Sequence, residues 1–274
     1  MNTQAVIDVW MQHPTMRFIN HPMFASLRKW MKMGLIEQEL PLEMTLSMMD
    51  AANVQKGLIC SWYGPEGALI SNEEVAKWVK QHPERFVGIA SVELNKPVEA
   101  VRELKKCIDK GFKGLRIVQW LWNLPATHAY YYPLFTECVL QNIPVCLQVG
   151  HTGPLRPSEV GRPIPYIDQI ALDFPDLKIV CGHIGYPWTT EMIAVATKHK
   201  NVFIDTSAYS ANRYPRELVD FLKRNGQNKV LFGTNYPMIM PHKCLEDLPS
   251  LELTKEIERK FLFGNAVKVF NLGE

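Results

Sequence analysis

A set of side chains that could do chemistry stands at the ends of short apolar runs, at Trp10, Gln12, Ser61, Trp62, Arg116, Gln148, His183, Asp205 and Asn235. His183, in "GHIG", is the one imidazole among them, a group whose ordinary pKa suits it to move a proton near neutral pH. Asp205, in "IDTS", is the one carboxylate, and Thr206 and Ser207 behind it offer turn hydrogen bonds that would satisfy it without any catalytic role. Arg116, ending "KGLRIV", carries a planar fork able to hold a ligand carboxylate or to pair with a buried acid. Gln12, Gln148 and Asn235 bring neutral amides, which donate and accept hydrogen bonds but do not titrate. Trp10, Trp62 and Trp120, with Tyr63, Trp122, Tyr186 and Trp188 nearby, suggest an aromatic wall for a planar ligand.

These residues form one site only if the elements carrying them converge. The runs "AVIDVWM", "KGLICSW", "FVGIASVE", "KGLRIV", "IPVCLQVG", "LKIVCGH", "NVFIDTS" and "KVLFGTN" are rich in β-branched residues and nearly continuous in hydrophobicity, as in strands covered on both faces. Amphipathic stretches between them read as helices. Ser71 with Glu74 forms a capping box, and Gly111 and Gly226 stand where glycines end helices. The alternation predicts a single domain over residues 1–274, an α/β fold of the TIM-like (β/α)8 barrel type, in which strand ends share one mouth. No GxGxxG follows a strand, which argues against dinucleotide binding. Two long loops, residues 13–40 and 148–166, follow the first and fifth strands on the mouth side.

Composition narrows the partners. Thirty basic against 28 acidic residues leave a net charge of +2 and no like-charge block, so neither nucleic acid nor a membrane is expected. A small molecule, most simply a carboxylate, fits better. Six dispersed cysteines without CxxC spacing read as reduced thiols of a cytoplasmic protein. No charged leader with an apolar core opens the sequence, and no apolar run reaches the ~18 residues of a membrane span.

The stretches "DLKIVCGHIG", "IDTSAY", "KVLFGTNYP" and "FLFGNAVKVFNL", in this order, resemble the amidohydrolase-related family, which includes aminocarboxymuconate-semialdehyde decarboxylase and similar barrel decarboxylases and hydrolases. The resemblance implies Asp-x-His-x-His on the first strand, where this chain has Asp8, Trp10 and Gln12. It implies a histidine where Gln148 stands and an aspartate where Asn235 stands, leaving His183 as the retained member of the site pattern. Indole cannot bind Zn²⁺ and amides bind it poorly, so no tightly bound metal or other cofactor is expected. His13 and His151 could rebuild a three-histidine site with His183 if the fold brought them together.

The leading expectation is a metal-independent hydrolase of a small carboxylated or aromatic ester or lactone, possible dimerisation being implied by resemblance alone. In it His183 or Asp205 handles the proton, with Asn235 beside them. Arg116 and Arg156 hold a carboxylate, Arg162 also recruits anions, and Gln12, Gln148 and Asn235 stabilise the oxyanion. Trp10, Trp120 and His151 complete the binding wall. The alternatives are a decarboxylase of an aromatic or muconate-like acid, and a ligand-binding barrel without catalysis.

Overall fold

A computed structural model describes residues 5–273. Ten strands form: β1 Val6–Met11, β2 Val54–Cys60, β3 Trp62–Gly64, β4 Gly67–Ile70, β5 Phe86–Ile89, β6 Leu115–Ile117, β7 Val145–Gln148, β8 Ile179–Gly182, β9 Val202–Asp205 and β10 Val230–Leu231. All pairings except β3 with β4 are parallel, in two sheets ordered β1-β2-β5 and β10-β9-β8-β7-β6. The sheets join through the parallel bridge Ala90 to Leu115. They close at the other side through Met11 to Tyr236, with Val9 N donating to Phe232 O at 3.0 Å and Asn235 N to Trp10 O at 2.7 Å. Leaving out the β3–β4 hairpin, the eight expected runs are the barrel's staves. The hairpin extends the "SWYG" end of β2, and the sequence reading did not separate it.

Helices fill the connections because the apolar stripe of each has the sheet to cover. Asn72–Gln81 begins at Ser71, whose hydroxyl accepts from Glu74 N while the Glu74 carboxylate accepts from Ser71 N, the expected capping box. Pro97–Asp109 opens on a proline at its first position and is followed by Gly111 at φ +91°. Gly226 is not left-handed. A Cβ there would lie 2.4 Å from the Phe221 ring, so close packing rather than helix termination calls for glycine. The barrel interior holds Ile7, Val9, Trp10, Leu58, Cys60, Cys146, Val180 and Leu231, and the C-terminal helix Asn265–Phe270 adds Ala266, Val269 and Phe270. None of the helices among the described residues is long and apolar enough to cross a membrane.

The long excursion after β1 is not a plain loop. It contains helices Met16–Asn20 and Ala25–Met31, the first capped by the Thr15 hydroxyl accepting from Phe18 N. The excursion after β7 is held by its ends: Gly150 N donates to Gly161 O at 2.8 Å and His151 N to Tyr186 O at 2.7 Å. Gly150 has φ +102°, and a Cβ there would lie 2.5 Å from the Tyr186 carbonyl. Gly150→Ala therefore combines backbone strain with a backbone clash, and should lower stability by about 1–3 kcal/mol in urea unfolding. An unchanged midpoint would show that the turn is not fixed as described.

Candidate functional site

A cavity of about 300 Å³ opens at the C-terminal ends of the barrel strands. Both long excursions wall it. The first gives Phe18, Phe24, Leu27, Trp30 and Met31, and the second gives His151, Gly153 and Pro154. The excursions touch each other where Leu27 lies against Gly153, a Cβ on which would come within 2.7 Å of the leucine Cδ2. Trp62 and Trp120, with ring centroids 6.3 Å apart, add an aromatic side. The polar part of the lining is Gln148, His151, His183 and Asn235, and among the described residues no lysine, arginine or carboxylate reaches the cavity.

The backbone holds three of these lining residues in the left-handed region: His183 at φ +70°, Ala208 at +67° and Asn235 at +65°. Ile184 and Gly185 continue it at +52° and +75°. Such conformations are costly for side-chain-bearing residues and persist where the surroundings impose them, often at ligand sites. At His183 the turn aims the ring between Ser207 and Trp10. Nδ1 lies 2.6 Å from the Ser207 hydroxyl, which also accepts from His183 N at 3.2 Å, and the Trp10 ring centroid is 5.1 Å away. Burial, then the Arg116 charge and His151, lower the His183 pKa to about 3, so the ring is neutral at physiological pH.

Beneath the cavity lies a dry polar layer. Trp10 is 0% exposed, Gln12 0%, Arg116 1% and Asp205 0%, so these expected contacts do not line the cavity. The reason is the inward pleat of the strands, which turns these side chains into the barrel rather than to its rim. The Arg116 guanidinium stacks on the Trp10 ring, 4.0 Å from its centroid, and donates from Nη1 to Gln12 Oε1 at 3.2 Å. Trp62 Nε1 donates to the same oxygen at 3.2 Å. Gln12 Nε2 donates to the Tyr236 carbonyl and, at 3.5 Å, to Asn235 Oδ1. Asp205 Oδ1 accepts from Ser207 N at 2.8 Å, as its turn-stabilising reading expects, and the carboxyl pKa is raised to about 6 by burial against the pull of Ser207 and Arg116.

Other expectations are corrected by position. His13 is not near His183. Its Nδ1 is 2.7 Å from the Thr45 hydroxyl and its Nε2 3.0 Å from Leu40 O, because the chain turns outward after β1. His13, His151 and His183 therefore build no metal site. Arg156 lines a separate groove with His21, Glu66 and Leu155 at the outer edge of the two excursions. Arg162 is spent on Glu191 at 2.7 Å. All six cysteines are buried free thiols, and burial pushes Cys60 up to about 12 and Cys146 and Cys181 well above the usual thiol value. Sequence reasoning missed two features. The Ser207 hydroxyl joins His183 to the Asp205 turn, and the walls come from the aromatic and Met content of residues 16–31, which was the signal available.

The donor set does not fit a catalytic divalent ion. Trp10 offers no lone pair, Gln12 Oε1 already accepts two hydrogen bonds, and the two imidazoles that line the cavity, His183 and His151, are joined by no carboxylate or thiolate among the described residues. Among the described residues, no three His, Cys, Asp or Glu side chains gather closely enough to hold a metal.

Asp8 fastens the barrel seam below this layer. Its Oδ1 accepts from Trp10 N and Thr234 N, each at 3.0 Å, and its Oδ2 from the Thr234 hydroxyl. Burial outweighs these bonds and raises its pKa from 3.8 to about 7.

The amidohydrolase family profile matches residues 62–272. A gamma-resorcylate decarboxylase of Polaromonas sp. (strain JS666 / ATCC BAA-500) is 23% identical over 256 residues, 76% of this chain and 77% of the relative. A 2-amino-3-carboxymuconate-6-semialdehyde decarboxylase of Dictyostelium discoideum is 24% identical over 251 residues, 77% and 69% of the two chains. Among solved structures, an uncharacterised TIM-barrel protein of Bordetella bronchiseptica superposes with a TM-score of 0.83 at 24% identity, covering 97% of this chain and 98% of its own.

A pH dependence of stability follows from the two buried acids. Asp8 and Asp205 have folded-state pKa values above the ordinary aspartate value of 3.8, at about 7 and about 6. A raised carboxyl contributes its stability in full below the unfolded pKa and loses it as pH rises through the folded value. The urea midpoint should fall between about pH 4 and about pH 7, the window set by the unfolded and folded values, and Asp8→Asn should flatten that fall. A midpoint that rises across the window would contradict the assignment.

Proposed function

The chain belongs to the amidohydrolase family, and from that premise we propose that it is a decarboxylase of a small planar aromatic acid, replacing the hydrolase that the sequence reading put first. The observation that carries this reading is a neutral, buried imidazole at the floor of an aromatic-walled cavity. The names of the two curated relatives described above, both decarboxylases, support the same choice.

The ring of the acid slots between Trp62, Trp120 and Phe24, and its oxygens meet the Asn235 and Gln148 amides. A hydroxyl ortho to the carboxylate gives its proton to His183 Nε2, while the Asn235 N–H stabilises the oxygen left behind. The transfer is uphill, because the surroundings of the ring disfavour the charge, so the imidazolium exists only transiently beside the oxygen it has just deprotonated. It returns the proton to the ring carbon that bears the carboxylate. The carbon–carbon bond then breaks, its electrons go back to the ring, CO₂ leaves, and the phenolate oxygen takes a proton from water. Among the described residues no arginine lines the cavity, so no ion pair holds the carboxylate against its loss as uncharged CO₂.

One observation favours hydrolysis as a second reading: a neutral His183, fixed by Ser207, can instead take a proton from water attacking an ester. We place the protein in the cytoplasm, a reducing setting that suits its buried free thiols.

Incubation with gamma-resorcylate and other ortho-hydroxy aromatic acids should release CO₂ and the decarboxylated ring in equal amounts. His183→Gln should lower kcat by about 100-fold or more. Turnover of aryl esters without CO₂ release would establish the hydrolase reading instead, and binding of these acids without either product would establish a ligand-binding barrel.

A further inference from the structure

We propose that the Arg116 guanidinium, stacked on Trp10, is a protein-built cation centre at the floor of the barrel, taking the place of a divalent ion, and that through Gln12 it turns Asn235 so that Nδ2 donates into the cavity. The floor is thereby a receptor for an anionic ligand oxygen. The cavity is that of the proposed function, but the claim concerns ligand charge and metal independence rather than the bond broken.

The orientation of the amides follows from hydrogen-bonding chemistry. Arg116 Nη1 and Trp62 Nε1 can only donate, and both point at one terminal atom of Gln12, which must be its oxygen. The other terminal atom is then Nε2, and it donates to the Tyr236 carbonyl and Asn235 Oδ1. With its oxygen turned down to Gln12, Asn235 presents its NH₂ group to the cavity it lines. The order of roles runs from a residue that cannot lose its proton to one that meets the ligand, and it allows no alternative flip without setting donor against donor.

The charge is local, and the buried acid that feels it, Asp205, makes no direct ion pair with it. Among the described residues no carboxylate lies within 4.0 Å of Arg116, and its Nε and Nη2, with Trp10 Nε1, are buried without a protein hydrogen-bond partner. The indole face compensates part of the desolvation, since a cation held over tryptophan is stabilised most when both are dry. The same indole fills the floor so closely that a Cβ on Gly182 would come within 2.6 Å of its Cζ3, leaving little room for an ion and its ligands. In such a low-dielectric floor an anionic oxygen above Asn235 is drawn by both the N–H and the charge behind it.

Benzoate and its neutral isostere benzamide, titrated calorimetrically against the full chain, separate charge recognition from ring fit. Wild-type protein should bind benzoate about tenfold or more tighter than benzamide, and EDTA or added Mn²⁺ should change neither affinity. Gln12→Glu keeps both bonds accepted from Arg116 and Trp62, loses the donation to the Tyr236 carbonyl, neutralises the centre, and obliges Asn235 to turn its oxygen to the cavity. The preference should then vanish or invert, with benzamide affinity retained.

Asn235→Asp, which leaves the buried layer intact, should give the same inversion and keeps the test sound if the glutamate variant folds poorly. Arg116→Met should lose the preference and Arg116→Lys recover part of it, which marks Arg116 as a positioning residue rather than only a packing one. Equal wild-type affinities, absence of benzoate binding, equal loss of both ligands in the variants, or benzoate binding that needs Mn²⁺ would each overturn the proposal. None of these readouts involves turnover, so failure to release CO₂ would count against the proposed function alone.

Discussion

A guanidinium held in the dry interior of a barrel must be compensated, and in this protein its direct contacts are an indole face and a single amide oxygen, with the buried Asp205 carboxyl acting on it from beyond ion-pair distance. Arg116 lies 4.0 Å from the Trp10 ring centroid and bonds Gln12 Oε1. Charges of this kind are stabilising only where packing and hydrogen bonds are fixed around them. The surrounding structure supplies that fixity: Gly182 gives room for the indole, Asp8 anchors the Trp10 backbone amide to the seam, and Trp62 holds the far side of Gln12. Asn235, His183 and the cavity above them inherit their geometry from this layer.

The upper layer is less rigidly specified and more closely shaped to a ligand. His183, Ala208 and Asn235 all hold left-handed backbone, and all line the cavity. The strain is local to the loops that leave β8, β9 and β10, while the strands beneath are regular. That division suits the barrel architecture, in which staves provide stability and the loops at their C-terminal ends provide chemistry. Neutral His183, linked to Ser207 and through it to the Asp205 turn, is the buried imidazole of this layer, with His151 at the cavity's edge.

Much of this was legible in the residues. The eight strands could be read because parallel staves are buried on both faces and leave continuous apolar runs, as at "IPVCLQVG" and "LKIVCGH". The capping box at Ser71 could be read because its signal is local. What could not be read was depth. Trp10, Gln12 and Arg116 fall at strand ends as expected, but whether such a side chain meets the ligand or lies a layer below depends on pleat and stagger across distant strands. The same limit explains His13, one residue beyond Gln12 yet turned out toward Leu40 and Thr45, and Arg156, which the excursion carries to the outer edge. The walls came from residues 16–31, whose helices form against the rest of the barrel and carry no motif of their own.

The most direct measurement is anomalous X-ray diffraction from crystals of the wild-type protein soaked in Mn²⁺. No anomalous peak is expected within bonding distance of His183, Gln148 or Asn235, with Arg116 still lying on Trp10. A fully occupied peak coordinated by those side chains, with the guanidinium displaced from the indole, would contradict it.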